Sequence, residues 1–288
     1  MSKLTKVEAV WQLLDDIENV VKDQVGSEFA EWQSVVRACE EAGMLAPMVP
    51  SKNSGALSLV AAGPFLKRAL NDLRAVWLLI ERGYSTQAAS VAASLYENAL
   101  AAAAIAGDDK LAQEAKKTKY AEIPWAPKQL AQLNARREMA IQEKSGHISS
   151  AKEYEDAWTI SYFNYKWLCQ IKHPTWQAVY HDVQGALVNS AEYAIRPGPN
   201  NIADDAQLKA RILGVSVSQA FIAARSFFLA LDGEESSPEY VAFEEKANFV
   251  HSEIRRLIKK EYGKPSPISL LDRSFIKTDF ETLRKFDE

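Results

Sequence analysis

The chain has 288 residues, 47% of them hydrophobic and 25% charged, enough for one large or two ordinary domains with a sizeable core. A net charge of -4 excludes whole-surface attraction to nucleic acid or anionic membrane and leaves only local basic patches. The two cysteines, Cys39 and Cys169, form no motif and sit in apolar helical patterns, so they read as reduced core residues of a cytoplasmic protein.

The opening stretch has no signal-peptide core. Val7, Val10, Trp11, Leu14, Ile17 and Val21 recur at helical spacing and predict an amphipathic helix. Ser27 is the expected cap of a second helix carrying Phe29, Trp32, Val35, Val36 and Cys39, with Gly43 as its end. Met44 to Gly55 reads as a linker from its Pro, Ser, Asn and Gly content. Residues 1–55 are therefore expected to form an N-terminal helical hairpin plus linker, 56–235 a core bundle, and 236–288 a C-terminal helix and tail.

The core begins with two long helices joined by Gly83-Tyr84-Ser85. Pro64 is expected in the first turn of the first helix, and Gly83 at its end. The second helix is mostly alanine, carries a single carboxylate, Glu97, and ends at Gly107. Its apolar run is interrupted by Ser90, Ser94, Glu97 and Asn98 and reads as too polar for a membrane span. Asp108 or Asp109 caps a short helix, and Pro127 starts another that runs to about Lys144. Ser150 and Glu153 make a capping box that opens an aromatic-rich helix ending at Lys172-His173-Pro174. Trp176 to Val183 reads as a short helix, Asp205 to Leu231 as a long one. Ser237-Pro238 starts the last, which stops at Gly263, and the tail beyond is a mixed amphipathic stretch. No segment alternates at period two, and nearly every Gly or Pro falls at a helix end. The expected fold is all-α, a multi-helix bundle around a central antiparallel helical hairpin.

Two positions could carry chemistry. Glu97 lies among Ala93, Ala101 and Ala104, small residues that let a helix approach closely, so its charge needs an answering group. Arg74 on the preceding helix is the expected partner. His173 lies just past a helix end, where a protonated imidazole is favoured, with Lys172 beside it and Lys166 roughly on the same face. Basic clusters at Lys116, Lys117 and Lys119, at Arg136 and Arg137, and at Arg255, Arg256, Lys259 and Lys260 read as solvated helix faces, with an RNA-contacting patch as the alternative.

Gly83, the element Ser94, Leu95 and Glu97, and the distant Tyr165, His173 and Pro174 resemble the pattern of an uncharacterised bacterial all-helical family of unknown function, over roughly residues 64–232. The resemblance adds Tyr165 to Glu97 and Arg74 as a polar network and carries no firm activity. The chain is more loosely similar to HEPN domains, helical bundles of bacterial toxin and phage-defence systems. Many of these are metal-independent ribonucleases with an arginine a few residues before a histidine. That likeness implies His173 as general acid or base on a ribose hydroxyl, with Lys166 or Lys172 replacing the arginine. Lysine cannot grip a phosphate bidentately.

The sequence has no Glu-x-x-His, no zinc motif, no nucleophile elbow and no phosphate loop, so no metal or cofactor is expected. His181-Asp182 reads as a solvated pair. Three functions follow. The first is a non-catalytic interaction or scaffold protein of a bacterial defence or stress system, acting through self-association or a protein partner. The second is an HEPN-like ribonuclease acting on RNA. The third is a small-ligand sensor with a pocket near Glu97 and the Tyr162 to Trp167 face. A membrane partner is not expected.

Overall fold

The computed structural model describes residues 6–119, 124–144, 146, 150–174, 176, 179, 187–189, 192–193, 198–199 and 205–262. Among them run α1 (Lys6–Glu28), α2 (Ala30–Leu45), a 3₁₀ turn (Ala46–Met48), α3 (Leu57–Glu81), α4 (Ser85–Ile105), α5 (Asp109–Lys117), α6 (Pro127–Lys144), α7 (Ala151–Lys172), α8 (Asp205–Leu231) and α9 (Pro238–Tyr262). Among the described residues the one regular element that is not helical is a short antiparallel pair, β1 (Leu187–Asn189) and β2 (Glu192–Tyr193). The chain is an all-α bundle, as its punctuation predicts.

The α3–α4 hairpin is the centre. Gly83 takes φ 83°, a conformation that strains any residue with a Cβ, and its N–H donates to the Ile80 carbonyl at 3.0 Å. That turn folds α4 back along α3. Leu66, Ala69, Leu73, Val76, Trp77 and Ile80 then meet the alanine face of α4, and nearly all of both inner faces is shielded from water. Alanines bring backbones close, so the apolar α8 can pack across both helices. By length and composition α4 and α8 could each cross a membrane, which corrects the reading of the α4 run as too polar. In this fold 72% of each apolar window is buried inside the bundle.

The capping chemistry is largely where the sequence places it. Asp108 accepts from the N–H groups of Lys110 and Leu111 at 2.9 and 3.0 Å and starts α5. Its neighbour Asp109 reaches back to accept from the Ser58 N–H at 3.0 Å, at the start of α3. Ser150 and Glu153 close the capping box of α7.

Three expectations are corrected. Ser27 lies within α1, and α2 starts after Phe29 with no side-chain cap. Gly43 lies inside α2 rather than ending it. A Cβ there would stand 2.5 Å from Leu70 Cδ2, so glycine serves a close approach of α2 to α3. Pro64 sits in the interior of α3 on an exposed face; helix begins at Leu57, and the proline removes one bond of the ladder. Before the Met44–Gly55 linker, α2 packs on the core bundle. Val35, Val36, Cys39 and Ala42 share one continuous core with α3, α4 and α8, and the linker is tied down where Ser51 Oγ donates to the Leu231 carbonyl and Glu234 N–H to that of Pro50.

Candidate functional site

Glu97 is half-buried and finds its partner on α7. Tyr165 Oη donates to Glu97 Oε1 at 2.7 Å, the short distance of a charge-assisted bond. The expected Arg74 pairing is therefore replaced. Arg74 projects from an exposed face of α3 toward Glu40 on α2, at 4.0 Å. Burial pushes the Glu40 carboxyl above its usual range, and Arg74 opposes that in part. The polar crossing inside the hairpin is made by other residues. Asp72 Oδ2 accepts from Ser94 Oγ at 3.1 Å and from Asn98 Nδ2 at 2.9 Å. Arg74 and Asp72 are two residues apart and so face different sides of α3; the hairpin interface takes Asp72.

Around Tyr165 lies an aromatic cluster. Its ring is tilted against Tyr96 with centroids 5.0 Å apart and stacks on Tyr162 at 6.2 Å. Tyr96 is fully buried, and its hydroxyl shares a 3.0 Å hydrogen bond with Ser161. Burial, then the bond to Glu97, then Cys169 one turn on push the Tyr165 phenol well above the usual range. Burial does the same to Tyr96. Both phenols therefore hold their protons more tightly than a free tyrosine, and Tyr165 is a fixed hydrogen-bond donor to Glu97. Further along α7, Trp167 lies under the Arg211 guanidinium at 4.1 Å.

His173 is the C-cap of α7. Its backbone N–H donates to the Cys169 carbonyl at 2.9 Å, and its extended φ -75° and ψ 147° match what the following Pro174 demands. His173 and Lys172 are exposed, while Lys166 is half-buried. Glu97 and Tyr165 are thus brought together, with Arg74 set apart from both. His147 and His181 lie outside the described residues, and His251 is exposed on α9.

A cleft among the described residues lies between α6 and α7, away from Glu97. About 360 Å³ of open space lies between α6 and the start of α7, lined by Arg136, Met139, Ala140, Glu143, Ser150, Ala151 and Tyr154. Arg136 Nε donates to Tyr154 Oη at 3.2 Å across it.

One residue with a large structural role was hidden among the basic clusters. Arg137 turns into the bundle, and its Nη1 donates to the carbonyls of Ala103 and Ala106 at the end of α4. Its Nη2 donates to the Ser226 carbonyl of α8 at 3.0 Å. A guanidinium has a fork of donors suited to several oxygens at once, and the end of α4 presents carbonyls with no helical partner. Arg136, its neighbour, is exposed. In the last basic cluster, Arg256 and Lys260 both pair with Glu31, at 2.6 and 2.7 Å.

The outer face of α1 carries exposed apolar side chains. Val21 and Val25 are buried against α2 and α3. Glu18 accepts from Arg82 Nη1 at 2.7 Å and from Tyr84 Oη at 2.6 Å, anchoring the helix to the central turn. Beside that buried edge Leu13, Ile17 and Val20 are 55%, 38% and 65% exposed. Their i, i+4, i+7 spacing makes one stripe, flanked by the exposed Asp16 and Asp23. The sequence pattern gives one broad apolar arc and places Ile17 on the packed side; the fold uses only half of that arc. Compared with known proteins, the chain matches no family model, no curated protein and no solved structure.

Proposed function

We propose that this chain is a non-catalytic helical interaction protein whose docking surface is the outer face of α1. The observation that carries the reading is the Leu13, Ile17, Val20 stripe. Single exposed apolar side chains are ordinary on protein surfaces, whereas an i, i+4, i+7 row on an anchored helix is the geometry by which helices recognise helices. The Glu18 anchor holds the stripe in place before anything binds, which lowers the ordering cost of association. The acidic flank selects a partner with an apolar row edged by lysine or arginine.

The test is light scattering and chemical cross-linking of the purified full chain, alone and with proteins from its source, beside an Ile17→Asp, Val20→Asp variant. The expected result is a complex, of copies or with a partner, that the variant loses while its helix content is unchanged. A complex indifferent to the variant overturns the reading. So does RNA cleavage in the presence of a chelator that disappears in His173→Ala.

A further inference from the structure

The stripe on α1 has a counterpart on α3. The outer row of α3 runs Val60, Pro64, Lys67, Asn71, Arg74 and Leu78, at i, i+4, i+7, i+11, i+14 and i+18, and every member is exposed. Val60 and Leu78 are 53% and 41% exposed. The exposed charges of α3 are Lys67, Arg68 and Arg74, all basic. Its two acids, Asp72 and Glu81, are half-buried, and Asp72 is bonded to Ser94 and Asn98. α1 reverses the pattern. Between Leu13 and Glu28 its exposed charges are Asp15, Asp16, Asp23 and Glu28, all acidic, and the one base, Lys22, is half-buried. Both faces lie within the described residues; the tail from 263 onward lies outside them.

The two faces belong to neighbouring helices. Glu18 accepts from Arg82 at the end of α3 and from Tyr84 in the turn after it. Both faces are nonetheless exposed, so neither covers the other within one chain. Their charges are spaced alike: Asp16 and Asp23 are seven residues apart, as are Lys67 and Arg74, about 10 Å along a helix. An acidic apolar face beside a basic apolar face is self-complementary about a two-fold axis. When one copy's α1 meets its partner's α3, the partner's α1 meets the first copy's α3, and every contact is made twice. Pairing α1 with α1 sets acid against acid, and α3 with α3 sets base against base, arrangements that repel.

We propose that the outer face of α1 docks on the outer row of α3 in a second copy of this chain, reciprocally, giving a two-fold dimer. Asp16 and Asp23 face the partner's basic row, and the α1 stripe lies along that row. The aliphatic stems of its lysine and arginines, with Val60, Pro64 and Leu78, supply the apolar side of the contact. The inference rests on the reading of α1 as a docking surface and names its occupant.

The test is sedimentation of the full-length chain over a concentration series, beside two charge-reversal variants. One carries Asp16→Lys and Asp23→Lys on α1; the other carries Lys67→Glu and Arg68→Glu on α3. All four sites are exposed, so helix content should be unchanged. The expected result is a reversible dimer of the 32.1 kDa chain, weakened at least tenfold in each variant alone. In an equimolar mixture of the two variants, each α1 again meets a row of opposite charge, and mixed dimers should form with the original affinity. A chain that stays monomeric at every concentration overturns the proposal. So does a dimer indifferent to either variant, or a mixture that associates no more tightly than the variants alone. The two readings fail separately. Loss of the dimer in the α1 variant but not in the α3 variant overturns the α3 row and leaves α1 as a docking surface. A monomeric chain that loses a complex with another protein through Ile17→Asp and Val20→Asp likewise leaves only the docking surface standing. Loss in the α3 variant alone shows a dimer that bypasses α1 and overturns both.

Discussion

Replacing Arg137 by methionine should destabilise the bundle by about 3 kcal/mol. The substitution keeps an unbranched apolar stem and removes the guanidinium. The carbonyls of Ala103 and Ala106, both on fully or nearly fully buried residues, then lose the donor that satisfies them at the end of α4. A buried carbonyl left without a partner costs about 1–3 kcal/mol, so the pair costs roughly 4. The Ser226 carbonyl sits inside α8 and keeps its helical partner, so its loss adds little. Against this, burial already works against the charge of Arg137 and holds its pKa below the ordinary range; removing a partly desolvated cation returns about 1 kcal/mol. Arg137→Lys keeps the charge and cannot span three oxygens from one nitrogen, so it should cost about half as much. Urea unfolding at equilibrium, read as a fall in midpoint at constant slope, measures both. Arg136→Met is the internal control and should stay within about 0.5 kcal/mol, since Arg136 is exposed. An Arg137→Met variant as stable as Arg136→Met would refute the account of how α4 ends.

The bond between Tyr165 and Glu97 should appear as coupling in a double-mutant cycle with Tyr165→Phe and Glu97→Gln, at about 1 kcal/mol, below the range of about 1.5–3 kcal/mol for a bond to a charged group because both residues are half-solvated; additivity within about 0.3 kcal/mol would show that the two do not interact. Alkaline pH should unfold the protein early. Tyr84, pushed up to about 12 by burial and by Glu18, and Tyr96 and Tyr165, raised further, keep their protons in the folded state, whereas unfolded tyrosines lose theirs near pH 10. Folded pKa values above the unfolded ones mean stability that is full below about pH 10 and falls as pH rises beyond it. Tyr96 alone contributes a slope of about 1.4 kcal/mol per pH unit there, and the more exposed Tyr84 and Tyr165 contribute less. Denaturant titrations from pH 8 to 11, beside tyrosinate absorbance, test this; a flat profile across pH 10 would contradict the buried phenols.

The architecture was legible because helix ends are written in side-chain and backbone chemistry. Asp108, Ser150 with Glu153, Gly83, Pro127 and Pro238 each act where their type predicts. The misreadings share a cause. Gly43 and Pro64 have the residue types of helix ends, yet contacts distant in sequence override them: Leu70 needs the space of a missing Cβ, and Pro64 lies on an exposed face where a lost ladder bond can be solvated. For Glu97 the sequence announced that a partner was needed, but the true partner, Tyr165, lies on a helix distant in sequence and leaves no local signature. Helix geometry decided against Arg74, which looks to α2. Arg137 could not have been singled out, because its partners are main-chain carbonyls and these leave no trace in residue identity. The α1 stripe was visible as part of a wide apolar arc, but only packing shows which half of the arc is covered.

The two neighbouring aspartates that begin α5 have a kinetic consequence. Asp108 starts its own helix, while Asp109 turns back to cap α3 at Ser58. The segment from Leu57 to Lys117 is thereby closed on itself, with its hairpin contacts between near neighbours in the chain. Such contacts form early because little chain entropy is lost in making them. α8, more than a hundred residues downstream of α4, must cross a much larger loop to reach its groove. The expected order of assembly is the looped segment first, as a template with an open apolar groove, and α8 later, closing it. Substitution of Asp109, whose carboxylate accepts from the Ser58 backbone N–H, should then slow folding, whereas substitutions on the α8 face should mainly hasten unfolding.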